Sequence, residues 1–255
     1  MALLKDSLIA HYKMNDNLAT DVIIDASGNG HNGAVKDATG TATSAFHSVD
    51  GKINLAQDLD GTDDYIEITD HADFTPALTP FSISAWVYMH DATEFMIATK
   101  GVYNTDGEWH FEVHGGDILR LRLFDESAIS CYIGRTYNSV LTGYQNQWLH
   151  LVATYDGGIL SSGIRLYLNA IRVDDTTVEA SAISFVSVEN LTHAVWIGRY
   201  DAKYANGLID NVMFFDKELT LNDIKQLYNG GAGTENMPSG IQLNRTGQHF
   251  SSWPG

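Results

Sequence analysis

The chain has 255 residues, a length that suits one large β-domain or two small domains. Lysine plus arginine number 15 and aspartate plus glutamate number 32, so the formal net charge is −17 at pH 7. This acidity argues against binding to nucleic-acid phosphates or to anionic lipid, because both need basic side chains. Hydrophobic residues make up 44% of the chain, which excludes a wholly disordered protein. No apolar run approaches the roughly 18 residues that membrane insertion needs.

The N-terminus and the cysteine content bear on where the protein is expected to occur. Lys5 and Asp6 interrupt the first apolar run and no small-residue cleavage site follows, so we find no signal peptide. The single cysteine, Cys131, excludes an intramolecular disulfide framework and is predicted to be a buried apolar side chain. We expect a protein that stays in the cytoplasm, or that leaves the cell by lysis or on the surface of a virus particle.

Short strands dominate the predicted secondary structure. Apolar or alternating runs of about five to eight residues recur between clusters of Gly, Asn and Asp. In chain order, the predicted strands are 8–13, 65–69, 81–89, 109–114, 119–124, 148–155, 164–169, 194–199 and 207–215. The length favours a two-sheet jelly roll over an immunoglobulin-like domain, which needs only about 100 residues.

The C-terminal quarter contains one predicted helix and then an irregular tail. Apolar residues in 220–228 have helical spacing, and Thr220 with Asp223 resembles a capping box. Residues 234–255 are polar and show no strand period, so we divide the chain into a domain of 1–233 and a tail of 234–255. We hypothesise that the tail docks on the domain, on a virus capsid or on a second copy of the chain. The apolar side chains available for docking are Ile241, Leu243, Phe250 and Trp253.

The predicted strands 109–114 and 119–124 have one apolar and one polar face, because successive side chains of a strand alternate. The polar face carries His110, Glu112, His114, Arg120 and Arg122. Sugar recognition needs planar hydrogen-bonding groups and a flat aromatic ring, and these residues supply the former. We take Tyr137 as the aromatic ring, with Tyr103 and Tyr132 as alternatives. The competing interpretation is a solvated face with ion pairs worth at most about 1 kcal/mol each.

Seven segments, in their order and spacing, resemble one family across about residues 8 to 233. They are 25–33 (DASGNGHNG), 59–68, 81–87, 148–157, 164–169, 207–215 and 219–228. These segments resemble the laminin-G-like jelly roll of the concanavalin A-like lectin/glucanase superfamily. The resemblance implies an all-β, two-sheet antiparallel jelly-roll sandwich with one short C-terminal helix. It also implies that the polar face of 109–124 lines the concave groove where glycans bind in such domains.

The segment 25–33 leads to the prediction of a metal site. Its residues tolerate positive φ, so the backbone can fold back and point oxygens inward, and Ca²⁺ prefers six to eight oxygen ligands. The positions that match a calcium site of the family are Asp25, Asn32 and Asp210. The resemblance therefore implies a structural Ca²⁺ that joins the N-terminal turn to the last strand. The alternative is that these residues only cap turns.

Catalytic patterns of the superfamily are missing from the sequence. The Glu-x-Asp-x-x-Glu pattern of its glucanases does not occur. On a strand, Glu108 and Glu112 would lie about 13 Å apart, whereas retaining glycosidases hold their carboxylates about 5–5.5 Å apart. We therefore predict a non-enzymatic module that binds carbohydrate or a protein surface. The alternatives are a virion structural protein, as a capsid decoration or fibre, and a glycoside-acting enzyme with an unfamiliar site.

Overall fold

Two large antiparallel sheets pack face to face in the computed structural model, which describes residues 4–40, 42–128 and 130–236. The strands are β1 (Leu8–Tyr12), β2 (Val22–Ile23), β3 (Gly33–Lys36), β4 (Ser48–Asp50), β5 (Leu55–Asp60), β6 (Tyr65–Ile68), β7 (Phe81–Asp91), β8 (Phe95–Lys100), β9 (Trp109–His114), β10 (Ile118–Asp125), β11 (Cys131–Tyr137), β12 (Trp148–Tyr155), β13 (Ile164–Leu168), β14 (Ile171–Arg172), β15 (Thr176–Thr177), β16 (Val195–Ile197), β17 (Arg199–Tyr200), β18 (Lys203–Tyr204) and β19 (Asn206–Phe215). The α-helices are α1 (Ser44–His47) and α2 (Leu221–Tyr228). Single turns of 3₁₀ helix occupy Leu4–Ser7, Ala72–Phe74, Thr142–Tyr144, Ser161–Gly163, Ala182–Ser184 and Asn229–Gly231.

The strand order shows how distant parts of the chain meet. The eight-stranded sheet has the order β14-β13-β12-β7-β19-β5-β4, and β1 also pairs with β19. The nine-stranded sheet has the order β15-β11-β10-β9-β8-β16-β6-β3-β2. The first strand of the chain therefore lies beside the last one, and the predicted two-sheet sandwich is confirmed. Helix α1, a single turn, has no counterpart among the elements predicted from the sequence.

The main core lies between the two sheets and follows the predicted alternation. From the eight-stranded sheet, Ile83, Ala85 and Val87 point inward, and from the nine-stranded sheet Phe111 and Trp109 do so, all fully buried. The Trp109 indole N–H donates to the carbonyl of Phe74 at 2.8 Å, so its polar atom is satisfied. Each such large side chain contributes roughly 1.5–3 kcal/mol by leaving water. Cys131 is also buried in this core, as predicted.

Helix α2 covers the outer face of the eight-stranded sheet. Its Ile224 and Leu227 pack on apolar strand residues that point away from the main core, among them Met213 and Phe215. Thr220 and Asp223 form the predicted capping box at its start. The helix ends at Asn229 rather than at the glycines that follow, since Asn229 adopts the left-handed conformation with φ 48°.

The beginning of the tail is attached to the domain. The Glu235 carboxylate accepts hydrogen bonds from the side-chain amides of Asn15 at 2.7 Å and Asn54 at 2.8 Å. The Asn211 amide donates to the carbonyl of Thr234 at 2.9 Å. Residues 237–255 lie outside the described residues. The docking hypothesis for Ile241, Leu243, Phe250 and Trp253 falls within this segment and stays a prediction. None of the described helices is long and apolar enough to cross a membrane.

Candidate functional site

Strands β9 and β10 place the predicted polar residues together on the outer face of the nine-stranded sheet. In their antiparallel register Arg120 lies opposite Glu112 and Arg122 lies opposite His110. His114 lies opposite Ile118 at the end of the same ladder. The alternation therefore divides the two faces as the sequence predicts.

Glu112 is the centre of this polar group. One of its oxygens, Oε1, accepts from Arg120 Nε at 2.8 Å and from Arg122 Nη2 at 3.0 Å. Burial alone would raise the pKa of Glu112, but its charged neighbours, among them Arg120 and Arg122, outweigh burial and lower the pKa to about 2. The carboxylate is therefore charged at neutral pH and holds both guanidinium groups in place. Its other oxygen, Oε2, is buried and has no hydrogen-bond partner.

His110 lies beneath the arginines as a neutral ring. Its Nε2 lies 2.8 Å from the carbonyl of Gly101, and burial lowers the pKa of His110 to about 3. The rings of Phe124 and Tyr200 pack on it, with centroids 4.6 and 4.3 Å away. Because Nε2–H donates to Gly101, the unprotonated Nδ1 faces Arg122 Nη2 at 3.5 Å.

Aromatic rings surround the Arg122 guanidinium. Its carbon lies 5.1 Å from the ring centre of Phe124, 5.5 Å from Tyr132 and 5.8 Å from Tyr103. These separations are within the range of cation–π attraction, worth about 0.5–2 kcal/mol according to exposure. Tyr103 and Tyr132 are half-buried, so each ring keeps part of its surface open to solvent.

Exposure separates the supporting residues from those that a ligand could touch. The side chains of His110 and Glu112 are 0% exposed, whereas Arg122 is 10%, Arg120 15% and His114 19% exposed. We call the accessible groups and their support the arginine patch; it consists of Tyr103, His110, Glu112, Arg120, Arg122 and Tyr132. His114 lies at the rim of the patch, where its Nδ1 is 3.5 Å from a carboxylate oxygen of Glu94.

Tyr137 lies on the other face of the sheet from the arginine patch. It pairs with Leu119 across β10 and β11 and packs against the main core. Tyr132 pairs with Phe124 and therefore shares the face of the arginines. Positions 132 and 137 differ by an odd number, so alternation already excludes that both face the arginines. The structure thus moves the aromatic contribution from Tyr137 to Tyr132 and Tyr103.

The β17–β18 hairpin lies against β8 and was not predicted from the sequence. The Thr99 hydroxyl holds it by donating to the carbonyl of Arg199 at 2.7 Å. The guanidinium of Arg199, in β17, lies 4.1 Å from the ring centre of Trp196, 4.6 Å from that of Tyr65 and 5.4 Å from that of Tyr204. The alternation of aromatic and basic residues in 196–204 is the sequence signal that could have found this second aromatic group.

The residues predicted to bind calcium do not form a set of free oxygen ligands. Both Asp25 oxygens already accept: Oδ1 from the amides of His11 and Ser27, and Oδ2 from the amide of His31 and the Ser27 hydroxyl. The amide oxygen of Asn32 accepts from the Asp25 N–H at 2.9 Å. Donors aimed at these oxygens fit the alternative of a capped turn better than a cation site.

Asp210 lies among different partners. Its Oδ2 accepts from the Ile53 N–H at 2.8 Å, and its Oδ1 is buried without a partner. Hydrogen bonds also connect the N-terminal turn to the last strand. Asp25 accepts from the His11 N–H, and the His11 ring lies 2.7 Å from the side-chain oxygen of Asn211. Calcium binding by Asp25, Asn32 and Asp210 stays a prediction.

Comparison with family models identifies the class of protein. The model of the laminin-G-like group of the concanavalin A-like lectin/glucanases superfamily matches residues 60–225. The chain belongs to this superfamily, as the seven sequence segments predicted. Comparison with curated protein sequences gives no significant match.

Solved structures with the same fold include sugar-binding and receptor-binding domains. Domain 4 of a GH43 extracellular arabinanase from Geobacillus stearothermophilus, solved with arabinotriose, is 19% identical over 89% of this chain and 98% of its own, with a TM-score of 0.64. The ligand binding domain of botulinum neurotoxin serotype D, solved with N-acetylneuraminic acid, is 19% identical over 89% of this chain and 52% of its own, with a TM-score of 0.60. The binding domain of botulinum neurotoxin DC, solved with rat synaptotagmin II, is 16% identical over 91% and 53%, with a TM-score of 0.63. The chain spans about half the length of the two toxin chains, and these likenesses show the fold alone.

Proposed function

We propose that this protein is a non-enzymatic carbohydrate-binding module and that the arginine patch is its sugar-binding surface. Arg120, Arg122, Tyr103 and Tyr132 would contact the sugar. The buried Glu112 would hold both guanidinium groups from below, and the buried His110 would support Arg122.

The observation that best supports this proposal is that two arginines bonded to Glu112 lie beside two half-buried tyrosine rings. Guanidinium groups offer planar donors to sugar hydroxyl or carboxylate oxygens, and tyrosine rings offer flat surfaces to the sugar ring. Both arginines already bond to Glu112, so little side-chain entropy is lost when a ligand binds. Surface arginines that only solubilise a protein do not need a buried carboxylate beneath them.

The relatives support the same class of ligand. Domain 4 of the arabinanase is described in complex with arabinotriose, and the serotype D toxin domain in complex with N-acetylneuraminic acid. Neither similarity identifies the sugar for this chain, since fold alone does not determine the ligand. An acidic sugar fits two arginines better than a neutral one, because each charge-assisted hydrogen bond is worth about 1.5–3 kcal/mol.

The direct test is a glycan array, followed by calorimetry with arabinotriose, N-acetylneuraminic acid and the strongest array ligand. We expect binding by the wild type and at least a tenfold loss for Arg120→Gln, which removes about 1.5–3 kcal/mol of hydrogen bonding. Arg172→Gln is the matched control, because Arg172 is 53% exposed on the edge strand β14 of the other sheet. Undiminished binding by Arg120→Gln, or no glycan binding by the folded protein, would contradict the proposal.

The same ligands distinguish a binding module from an enzyme. A glycoside-acting enzyme would release reducing ends from the bound glycan during a long incubation, whereas a binding module leaves it intact. We expect no release, because the carboxylate of the arginine patch, Glu112, is buried and paired with two arginines. A carboxylate used for proton transfer needs a pKa near the working pH, and that of Glu112 is lowered to about 2.

A protein surface is the second candidate ligand. The toxin domain solved with rat synaptotagmin II has the same fold and a protein partner. On this chain, Ile183 and Val186 are apolar and exposed on the segment between β15 and β16. If the glycan array is negative, Ile183→Ser and Val186→Ser are the variants with which to test a protein partner.

A further inference from the structure

Two histidines and one aspartate converge at a place remote from the arginine patch. Nε2 of His31 lies 3.0 Å from Asp73 Oδ2, and Nδ1 of His71 lies 3.3 Å from the same oxygen. The two imidazole rings are 4.7 Å apart. One ligand atom from each residue lies within 4.8 Å of the others, a separation that a single metal ion can span.

The surrounding structure holds these side chains in position. The His31 N–H donates to Asp25, and its carbonyl accepts from the Tyr12 hydroxyl at 2.6 Å. The His31 ring packs edge-on against the buried Phe74, with centroids 5.1 Å apart. Asp73 lies in the short 3₁₀ helix Ala72–Phe74, and His71 is the N-cap of that helix. Little reorganisation would therefore accompany binding of an ion.

The contacts that join His71 to Asp73 are long, at 3.3 Å each. The Asp73 N–H points to Nδ1 of His71 at 3.3 Å. When Nδ1 accepts this long bond it carries no proton, so its lone pair and that of the Asp73 carboxylate lie close together. A bound cation removes this repulsion. The Asp73 N–H can then bond to water, because His71 and Asp73 are both about half exposed.

The cluster is open to solvent on two sides. His31 and His71 line a cleft of about 230 Å³. Asp73 lines a second cleft of about 460 Å³ together with Asp6, Asp216 and Lys5. An ion can therefore reach the cluster, and water can complete its coordination.

The donor set selects the kind of ion. Ca²⁺ and Mg²⁺ prefer oxygen ligands, whereas two imidazole nitrogens with one carboxylate oxygen suit Zn²⁺ and similar transition metals. Zinc sites with three protein ligands keep a fourth position for water or another donor. We propose that His31, His71 and Asp73 bind one Zn²⁺ or a similar divalent transition-metal ion. The ion would join the turn at 25–33 to the 3₁₀ helix at 72–74.

The test is calorimetric titration of the untagged, metal-stripped full chain with ZnCl₂, with melting curves under the same conditions. We expect one Zn²⁺ per chain and a higher melting temperature with Zn²⁺, because an ion that binds only the folded state stabilises it. His71→Ala and Asp73→Asn should each weaken Zn²⁺ binding at least tenfold, since loss of even an outer-shell partner costs 10- to 100-fold.

His90→Ala is the matched control, because His90 is an exposed histidine whose Nδ1 lies 3.3 Å from the Asn146 side-chain oxygen and outside this cluster. It should bind Zn²⁺ like the wild type. Both test variants alter half-exposed side chains, and circular dichroism verifies that they are folded. No Zn²⁺ binding by the wild type, or equal binding by wild type and both variants, would overturn the proposal. Glycan binding should not change with Zn²⁺, so the outcome is independent of the arginine patch.

Discussion

The outer faces of the two sheets have opposite chemistry. On the eight-stranded sheet, Met213 and Phe215 make the outer face apolar, and helix α2 covers them with Ile224 and Leu227. On the nine-stranded sheet, Arg120 and Arg122 stay partly exposed above a buried carboxylate. An apolar face must be covered to be stable in water, whereas a polar face with half-open rings can stay available to a ligand. Helix α2 therefore stabilises one outer face, and the surface proposed to bind sugar lies on the other.

Two buried carboxyl groups, one on each sheet, differ in the direction in which their surroundings shift the pKa. Glu112, on the nine-stranded sheet, has two arginines as partners, and its pKa is lowered to about 2. Asp210, on the eight-stranded sheet, accepts from backbone amides, and burial raises its pKa to about 8. At pH 7 the first is charged and the second is mostly neutral. The predictions below use this difference.

The largest expected effect follows from removal of the buried charge. Glu112→Ala leaves Arg120 and Arg122 side by side without their carboxylate, and breaking a buried ion pair costs about 3–5 kcal/mol. Urea unfolding measures this loss, and glycan binding should disappear with it. Glu94→Ala at the exposed rim is the control and should change the free energy of unfolding by about 0.5 kcal/mol or less. A loss below about 1 kcal/mol for Glu112→Ala would show that the network contributes little.

A substitution beneath helix α2, on the outer face of the eight-stranded sheet, should lower the stability of the protein without weakening glycan binding. Ile224→Ala removes a fully buried side chain between α2 and the eight-stranded sheet. We expect a loss of about 2–3 kcal/mol, the lower part of the range for such truncations, because a surface helix can settle into the space. Urea unfolding and calorimetry on the same sample should show lower stability with an unchanged glycan Kd. A changed Kd would contradict the division of roles between the faces.

The two carboxyl groups predict opposite pH dependence of stability. The pKa of Asp210 is raised to about 8 in the folded state, so its contribution to stability is complete below about pH 4 and is lost as the pH rises to about 8. The pKa of Glu112 is lowered, so its contribution is present above its unfolded pKa of about 4.5 and is lost as the pH falls to about 2. Asp210→Asn should therefore melt at a higher temperature than the wild type at pH 8, and at nearly the same temperature at pH 4.

Melting curves of the wild type and of Asp210→Asn at pH 8, with Ca²⁺ and with EDTA, also test the predicted calcium site. If Asp25, Asn32 and Asp210 bind Ca²⁺, the ion stabilises the wild type and not Asp210→Asn, which then melts lower than the wild type in Ca²⁺. If they only cap turns, Ca²⁺ has no effect that depends on Asp210. The hydrogen bonds of Asp25 favour the second outcome.

The local sequence pattern predicted some features of the fold and of the candidate site but could not predict others. The faces of β9 and β10 and the cap of α2 follow from spacing within a few residues, and both were predicted. The bond between the His11 ring and Asn211 joins residues 200 positions apart, which periodicity cannot show. Tyr200 of the β17–β18 hairpin packs on His110, and this distant contact cannot be read from local spacing. The sequence therefore predicted His110 as a site residue but not its supporting role. The cluster of His31, His71 and Asp73 forms only because two turns about 40 residues apart meet, and no spacing rule indicated this.

The smallest expected effect concerns two tyrosines on one strand. Tyr132 faces Arg122, with its ring centre 5.5 Å from the guanidinium carbon, and Tyr137 packs on the core side of β11. Loss of one aromatic contact is worth about 1 kcal/mol, so Tyr132→Leu should weaken glycan binding about fivefold. Tyr137→Leu is the matched control, since it makes the same change five positions away on the other face, and it should leave the Kd unchanged. If Tyr137→Leu weakens binding and Tyr132→Leu does not, the sugar binds elsewhere, and the second aromatic group around Arg199 becomes the surface to test.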